Sequence, residues 1–419
     1  MIKEAIILAG GLGTRLKDTV PDLPKCMAPV AGHPFLFYIL QYLQQQGIER
    51  FIFSLGHKHE IVQSFLEKEY PSLDYTCVIE GNPLQTGGAI QLAIQEASDD
   101  HVLIVNGDTM FTVDLTAMSS AHAASGAECT LALKPMKDFE RYGAVESASD
   151  GCIVSFREKE FVANGDINGG VYILHKASFL ARNWPSVFSF ESDYLTKYVG
   201  EKKFFGFRQD SYFIDIGVPE DYARAQLECK RFTFPFSSMN ARWTLFLDRD
   251  GVINKNKDDG YVLNPGEFVF NKGLPVVVPF LNLHFQKIIV VTNQRGIGRG
   301  LMTEEDLDRI HQHMLDEVTK AGGRIDAVYY CTAVNDDHPD RKPNPGMGLR
   351  AQKDFPEIDF RCSVMIGDKA SDMTWGRTLG MKTVLLSSER YKDTIKESDV
   401  DLYCSSVAEF VDLMKSHSR

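Results

Sequence analysis

The chain has 419 residues, 44% of them hydrophobic and 24% charged, a length that predicts about two or three soluble domains each able to bury its own core. A formal net charge of −12 speaks against a nucleic-acid partner, whose phosphates are met by clustered Lys and Arg, but leaves anionic small molecules as substrates, since a few cations or a metal ion can dominate one pocket. No apolar run approaches the roughly 20 residues of a membrane span, no signal-peptide pattern precedes the first strand, and the eight cysteines form no C-x-x-C pair, so the expectation is a cytoplasmic protein with free thiols.

In chain order, apolar runs with strand character at Glu4–Ala9, Arg50–Leu55, Asp74–Ile79 and His101–Asn106 alternate with helical patterns at Pro34–Gln46, Glu60–Glu69 and Thr86–Ala97. This β-α-β-α repetition predicts a mostly parallel sheet with helices on both faces and ligands at the carboxyl ends of the strands. The first strand runs into Gly10-Gly11-Leu12-Gly13-Thr14-Arg15-Leu16 and the fourth into Asn106-Gly107-Asp108. The glycine turn lacks the third glycine of a dinucleotide fingerprint and the Gly-Lys-Ser/Thr of a P-loop. It reads either as a plain tight turn or as a loop whose backbone N–H groups cradle phosphate, helped by Arg15 and Lys25; Asp108 reads as a divalent-metal ligand or as a turn residue.

The motifs GGLGTRL, PKCMAPV, QTGGAI (Gln85–Ile90), NGD (Asn106–Asp108), RYGAVE (Arg141–Glu146), FREK (Phe156–Lys159), NGGVYIL (Asn168–Leu174) and FIDIGVPEDY (Phe213–Tyr222) follow one another in order, and over Met1–Arg231 the chain resembles the sugar-phosphate nucleotidyltransferases. The resemblance implies a Rossmann-like domain. In it Leu8, Gly10, Gly11, Gly13 and Thr14 line the nucleotide, and Arg15 and Lys25 hold the triphosphate. It further implies that Gly87 and Gly88 lie against the base, that Asp108 and Asp215 bind Mg²⁺, and that Gly143, Glu158, Lys159 and Asn168 face the sugar phosphate. Two positions depart from the pattern: Cys26 stands where relatives often carry Pro, and Gln85 where they usually carry Gly. A sugar 1-phosphate is already an anionic nucleophile, so such a site needs cations and alignment more than a general base.

A helical pattern at Pro219–Lys230 is followed by the aperiodic segment Arg231–Arg242, with three phenylalanines, read as a linker that packs against a domain. The expected organisation is a first domain over 1–230, a linker over 231–242 and a second domain over 243–419. From Trp243 the alternation restarts, with strands at Trp243–Leu247, Lys287–Thr292, Ile325–Cys331 and Ser363–Ile366 and helices at Gly273–Leu283, Thr303–Ala321, Gly346–Asp354 and Ser371–Leu379. Asp248 and Asp250 leave the first of these strands on the same side, a spacing that lets one carboxylate attack phosphorus while the other handles a proton.

The order FLDRDGVIN, TNQRGIGRG (Thr292–Gly300), RKPNPGM (Arg341–Met347) and MIGDKASDM (Met365–Met373) resembles the haloacid dehalogenase superfamily of phosphatases, and within it the heptose bisphosphate and histidinol phosphate phosphatases. The resemblance implies a second α/β sheet without a large cap, with Asp248 as nucleophile and Asp250 as general acid and base. Mg²⁺ would be held by Asp248, Asp368 and the backbone of Asp250, with Thr292 and Lys342 on the transferring phosphoryl group and Asn293, Gln294 and Arg341 on the substrate. That subgroup commonly carries a Cys/His zinc loop before its RKP motif, whereas Cys331–Asp340 offers only Cys331 and His338, so no zinc is expected. Together the halves imply trimming of a heptose bisphosphate followed by guanylyl transfer to the heptose 1-phosphate. ADP-heptose or GDP-mannose synthesis beside a histidinol-phosphate-like or regulatory phosphatase domain are the near alternatives.

Overall fold

The computed structural model describes residues 2–11, 20–257, 260–386 and 395–417, and the chain divides into two compact units, Met1–Cys229 and Lys230–Arg419. In the first, the sheet of nine strands has a parallel centre ordered His101–Asn106, Glu4–Ala9, Arg50–Leu55, Asp74–Ile79. The three inner strands read as largely apolar runs because both faces are covered, with Ile6, Ile7, Ile52, Phe53 and Ile104 fully buried, whereas the edge strand Asp74–Ile79 is only partly buried. The chain leaves Glu4–Ala9 toward one edge and returns to its other side with His101–Asn106, which makes the gap between these two strands the switch point where a ligand crevice opens.

The expected mostly parallel sheet is only half of this unit. Val162–His175 pairs antiparallel with His101–Asn106, and it carries Cys129–Phe139 and Gly143–Ser147 as further antiparallel neighbours. A short antiparallel pair, Phe213–Asp215 with Thr109–Phe111, stands apart from the main sheet and sets Asp215 opposite Thr109.

The second unit has six parallel strands in the order Ala327–Cys331, Phe285–Asn293, Trp243–Leu247, Ser363–Gly367, Lys382–Leu386, Leu402–Cys404. Trp243–Leu247 is central, and the chain moves first to one side and then to the other, so its carboxyl end is again a switch point. The helix Glu304–Lys320 starts at a capping box, in which Thr303 and Asp306 satisfy each other's backbone N–H, and it buries Leu307, Ile310, His311 and Met314.

The expected linker packs as part of this second unit. Phe234, Phe236 and Met239 join Trp243 and Phe410 in one apolar cluster, and the Lys230 ammonium donates to the carbonyls of Glu397 and Val400 at 2.9 and 2.6 Å. The predicted helix to Lys230 ends at Glu228, followed by a separate turn, Lys230–Thr233. Among the described residues no helix is long and apolar enough to cross a membrane, and all eight cysteines are free.

Candidate active sites

In the first unit the strand ends converge on one cavity of about 260 Å³, whose lining includes Lys25, Asp108, Lys159, Asn168, Glu191 and Asp215. Asp108 follows Gly107, whose position leaves no room for a side chain because a Cβ would sit 2.8 Å from the Leu8 carbonyl oxygen. The antiparallel pairing opposite Thr109 brings in Asp215. The Lys25 ammonium, delivered by the short turn Lys25–Met27, pairs with Asp108 and lies 3.5 Å from Asp215. Burial raises the Asp215 carboxyl above its ordinary range and Asp108 adds to this, with Lys25 opposing. Burial likewise raises Glu191 against the pull of Lys159. Gly143 lines the same cavity, and Asn168 is oriented by its own contacts, donating to the Tyr172 hydroxyl at 2.8 Å and accepting from the Gly170 N–H at 3.1 Å.

Leu8 and Gly10 lie at the end of the first strand, and a Cβ at Gly10 would meet Glu80 Oε1 at 2.4 Å. Glu80 therefore stands against the glycine turn. Its oxygens accept from Ser54 Oγ at 3.2 Å and the Leu84 N–H at 3.3 Å, and burial holds its pKa above the usual carboxylate value. Gly87 and Gly88 pack closely against Phe188. Both amides donate to the Phe188 carbonyl, at 2.9 and 3.3 Å, and a Cβ at Gly87 would fall 2.3 Å from the Phe188 ring. Gly13, Thr14 and Arg15 lie outside the described residues, as does the Glu158 side chain.

In the second unit Asp248 emerges from the central strand and is buried with Lys342, whose ammonium donates to it at 2.9 Å and reaches Asp372 at 2.6 Å and the Val291 carbonyl at 2.8 Å. Burial raises the pKa of Asp248, partly offset by Lys342. For Lys342 the balance is reversed: burial disfavours the charge, but Asp248 and Asp372 outweigh it and raise its pKa. Asp368 comes from the neighbouring strand end, and burial together with Asp248 and Asp372 pushes its pKa up to about 7 against Lys369. Gly251, with φ +93°, is the turn that allows this approach, since a Cβ there would sit 2.1 Å from Asp368 Oδ2.

Asp250 is held by four hydrogen bonds: two from Arg249 Nη2 (3.0 and 2.9 Å) and one each from Asn254 and Gln294 (both 2.9 Å). Burial alone would raise its pKa, but Arg249 and these amides overcome that and hold the carboxyl below its ordinary range. Gln294 also donates to Thr292 Oγ1 at 2.9 Å, so the buried Thr292 hydroxyl is turned by the same amide that orients Asp250.

Both units match known families. The model described as nucleotidyl transferase matches residues 4–231, more than half of the chain. The chain belongs to the nucleotidyl transferase family. A HAD-hydrolase-like model matches residues 340–410. The D-glycero-alpha-D-manno-heptose 1-phosphate guanylyltransferase of Aneurinibacillus thermoaerophilus is 49% identical over 229 residues, 55% of this chain and 99% of that protein. The D-glycero-alpha-D-manno-heptose-1,7-bisphosphate 7-phosphatase of Burkholderia mallei is 43% identical over 158 residues, 35% of this chain and 80% of that protein. The D-glycero-beta-D-manno-heptose-1,7-bisphosphate 7-phosphatase of Helicobacter pylori is 35% identical over 179 residues, 42% of this chain and 100% of that protein. Behind the nucleotidyl transferase unit the chain therefore carries a HAD-type phosphatase unit, and both are enzymes.

Both families use divalent metal ions. The phosphatase unit fits one: Asp248, Asp368 and Asp372 bring ligand oxygens within 4.8 Å of one another, and the buried Asp368 Oδ1 accepts no hydrogen bond. In the nucleotidyl transferase unit the Lys25 ammonium sits between Asp108 and Asp215, a position of strongly cationic preference.

Asp372 and Lys369, which join this site, belong to the motif MIGDKASDM, and its Gly-Asp-x-x-x-Asp spacing is the sequence signal for Asp372. Glu80 carried no motif of its own. Asn293 and Arg341, implied as substrate ligands, make hydrogen bonds within the protein. Asn293 exchanges hydrogen bonds with the Lys342 backbone, both at 3.1 Å, while Arg341 donates to Asp336 at 2.9 Å and the Ala333 carbonyl at 3.3 Å. Cys331 Sγ does approach His338 Nδ1, at 3.6 Å, but Asp336 is taken by Arg295 and Arg341, and Asp340 by Arg350.

Proposed function

We propose that this chain carries out two consecutive steps in making a nucleotide-activated heptose. The second unit, Lys230–Arg419, removes the 7-phosphate of D-glycero-D-manno-heptose 1,7-bisphosphate. The nucleotidyl transferase unit, Met1–Cys229, then joins the resulting heptose 1-phosphate to GMP from GTP, releasing pyrophosphate. The observation that carries this reading is that removing the 7-phosphate from the bisphosphate named for the 43%-identical phosphatase relative leaves the α-anomeric heptose 1-phosphate named for the 49%-identical guanylyltransferase relative.

The chemistry of the residues supports it. The sugar 1-phosphate oxygen attacks the α-phosphorus, and the work of the site is to hold two anions together. Arg15 and Lys25 serve the triphosphate, and Lys159, Asn168 and Gly143 the sugar phosphate. Mg²⁺ held by Asp108 and Asp215 in one unit, and by Asp248, Asp368 and the Asp250 backbone in the other, supplies charge neutralisation. Glu80 supports guanine: its carboxylate has acceptor capacity beyond its two contacts, and guanine presents two adjacent donors, N1–H and the 2-amino group, whereas adenine presents an acceptor at N1. In the phosphatase unit a cavity of about 540 Å³ beside Asp368, with Lys255 and Lys272 on its wall, gives room and positive charge for a bisphosphate. The setting proposed is the cytoplasm.

The test is a product assay. The protein is incubated with the α- or β-anomer of the heptose bisphosphate and with GTP or ATP in turn. The expected result is orthophosphate, pyrophosphate and GDP-heptose from the α-anomer with GTP. ADP-heptose from the β-anomer, the anomer named for the 35%-identical relative, would replace this reading with the other.

A further inference from the structure

Arg249 is the residue between the two phosphatase aspartates, and its side chain is among the largest fully buried in the molecule. Burying a guanidinium is costly unless its donors are used, and one that pairs with the next residue in sequence ties no distant elements together by that pair. Its two Nη groups are spent on two partners, while the buried Nε has none. Nη2 donates to both oxygens of Asp250, at 3.0 and 2.9 Å, and Nη1 lies 3.3 Å from Nε2 of His311. His311 projects from the buried face of Glu304–Lys320 and packs its ring against Tyr330, with centroids 5.8 Å apart. Burial first, and Arg249 second, push the imidazole to about pKa 3, so it is neutral and Nε2 accepts the Arg249 N–H.

We propose that His311 and Arg249 form a positioning pair, in which the imidazole fixes the guanidinium and the guanidinium fixes the Asp250 carboxyl at the angle needed to exchange a proton with the leaving oxygen. This rests on the phosphatase reading of the second unit. In the first step a carboxylate oxygen of Asp248 bonds to phosphorus, the bond from phosphorus to the substrate oxygen breaks, and that oxygen takes a proton delivered by Asp250, whose carboxyl the Arg249, Asn254 and Gln294 donors otherwise hold below its ordinary range. In the second, water attacks the same phosphorus and gives its proton to the Asp250 carboxylate. The bond from phosphorus to Asp248 breaks, and orthophosphate leaves. An aryl phosphate whose phenolate is stable as an anion needs no proton in the first step. It separates attack by Asp248 from proton transfer by Asp250.

The experiment compares the full-length protein with His311→Leu, His311→Gln and Arg249→Met, using the heptose bisphosphate in steady state and p-nitrophenyl phosphate in a rapid-mixing burst. His311→Leu and Arg249→Met should slow sugar-phosphate hydrolysis by about 10–100-fold. They should still release about one equivalent of nitrophenolate at the unaltered burst rate, followed by slow turnover. His311→Gln, which restores an acceptor for Arg249, should recover most of the sugar-phosphate rate. A burst rate that falls in parallel with sugar-phosphate turnover would show that the pair merely holds the scaffold, and an unchanged sugar-phosphate rate in His311→Leu would also overturn the proposal. Should Arg249→Met fail to fold, the two His311 variants decide the matter. Absence of heptose bisphosphate hydrolysis by the unaltered protein would strike the substrate assignment instead. The aryl phosphate comparison, extended to slower leaving groups, would still test the pair.

Discussion

The Lys342 ammonium donates to Asp248 Oδ1 across 2.9 Å with both side chains buried. An ammonium removed from water in this way is held by its partners, and they by it. Replacing Lys342 by Met leaves Asp248 and Asp372 buried without their shared cation, a change expected to cost roughly 3–5 kcal/mol. Phosphate release should disappear while pyrophosphate formation by the other unit persists. Calorimetry together with the two product assays checks this, and an unshifted thermal transition would contradict it.

Asp248, Asp368 and Asp372 outnumber Lys342 and Lys369, the lysines in contact with them, so this end of the sheet carries excess negative charge. A divalent cation that binds only the folded state should stabilise the phosphatase unit, by about 2.7 kcal/mol at a hundred times its dissociation constant. Stripping metal with EDTA should lower the melting temperature of that unit and abolish phosphate release, and Mg²⁺ should restore both. Asp368→Asn should blunt the thermal response to Mg²⁺. An equal response in that variant would remove Asp368 from the cation site.

How much of this was legible in the sequence depends on where the information is local. Strands such as Arg50–Leu55 and Trp243–Leu247 are read to the residue because a buried parallel strand is an unbroken apolar run. Cys129–Phe139 interrupts such a run with Lys134, Pro135, Lys137 and Asp138, so the antiparallel half of the first sheet gave no comparable pattern. The carboxylates of both sites stand in motifs at strand ends and were readable. Glu80 was not, because what brings it to the glycine turn is the lateral order of strands, with its own strand two places from Glu4–Ala9. His311 was invisible for the same reason: on a helical pattern it is one more buried position.

Gly87 illustrates a glycine with two candidate explanations, a base contact and close packing. With a Cβ 2.3 Å from the Phe188 ring and 2.8 Å from the Phe188 carbonyl oxygen, Gly87→Ala must displace either the helix Gln85–Ala93 or the chain at 186–188. The expected loss is about 1–3 kcal/mol of stability in the nucleotidyl transferase unit, measured by denaturant titration. An unchanged midpoint with a raised KM for GTP alone would assign the glycine to the base instead.

His122 predicts the acid response of the nucleotidyl transferase unit. It is buried, its Nδ1 lies 2.7 Å from Thr130 Oγ1 and its Nε2 2.9 Å from His101 Nδ1, and burial, then the charges of His101 and His175, depress its pKa from 6.5 to about 4. The unfolded chain thus takes up a proton on this residue at higher pH than the folded one does. Between about pH 6.5 and pH 4 the unfolded state binds more protons, so stability falls as pH is lowered through that window and is fully present above it. The whole shift corresponds to roughly 3 kcal/mol. His101 is depressed in the same direction, by burial and by His175 against Asp100, and adds to the loss. The melting transition that shifts on adding GTP should fall between pH 7 and pH 4.5, and His122→Asn, which cannot titrate, should flatten much of that fall. A His122→Asn protein with the full acid loss would place its cause elsewhere, in carboxylates such as Glu4, which is held below its ordinary range, against the effect of burial, by the Asp99 and Ser98 amides and Arg50.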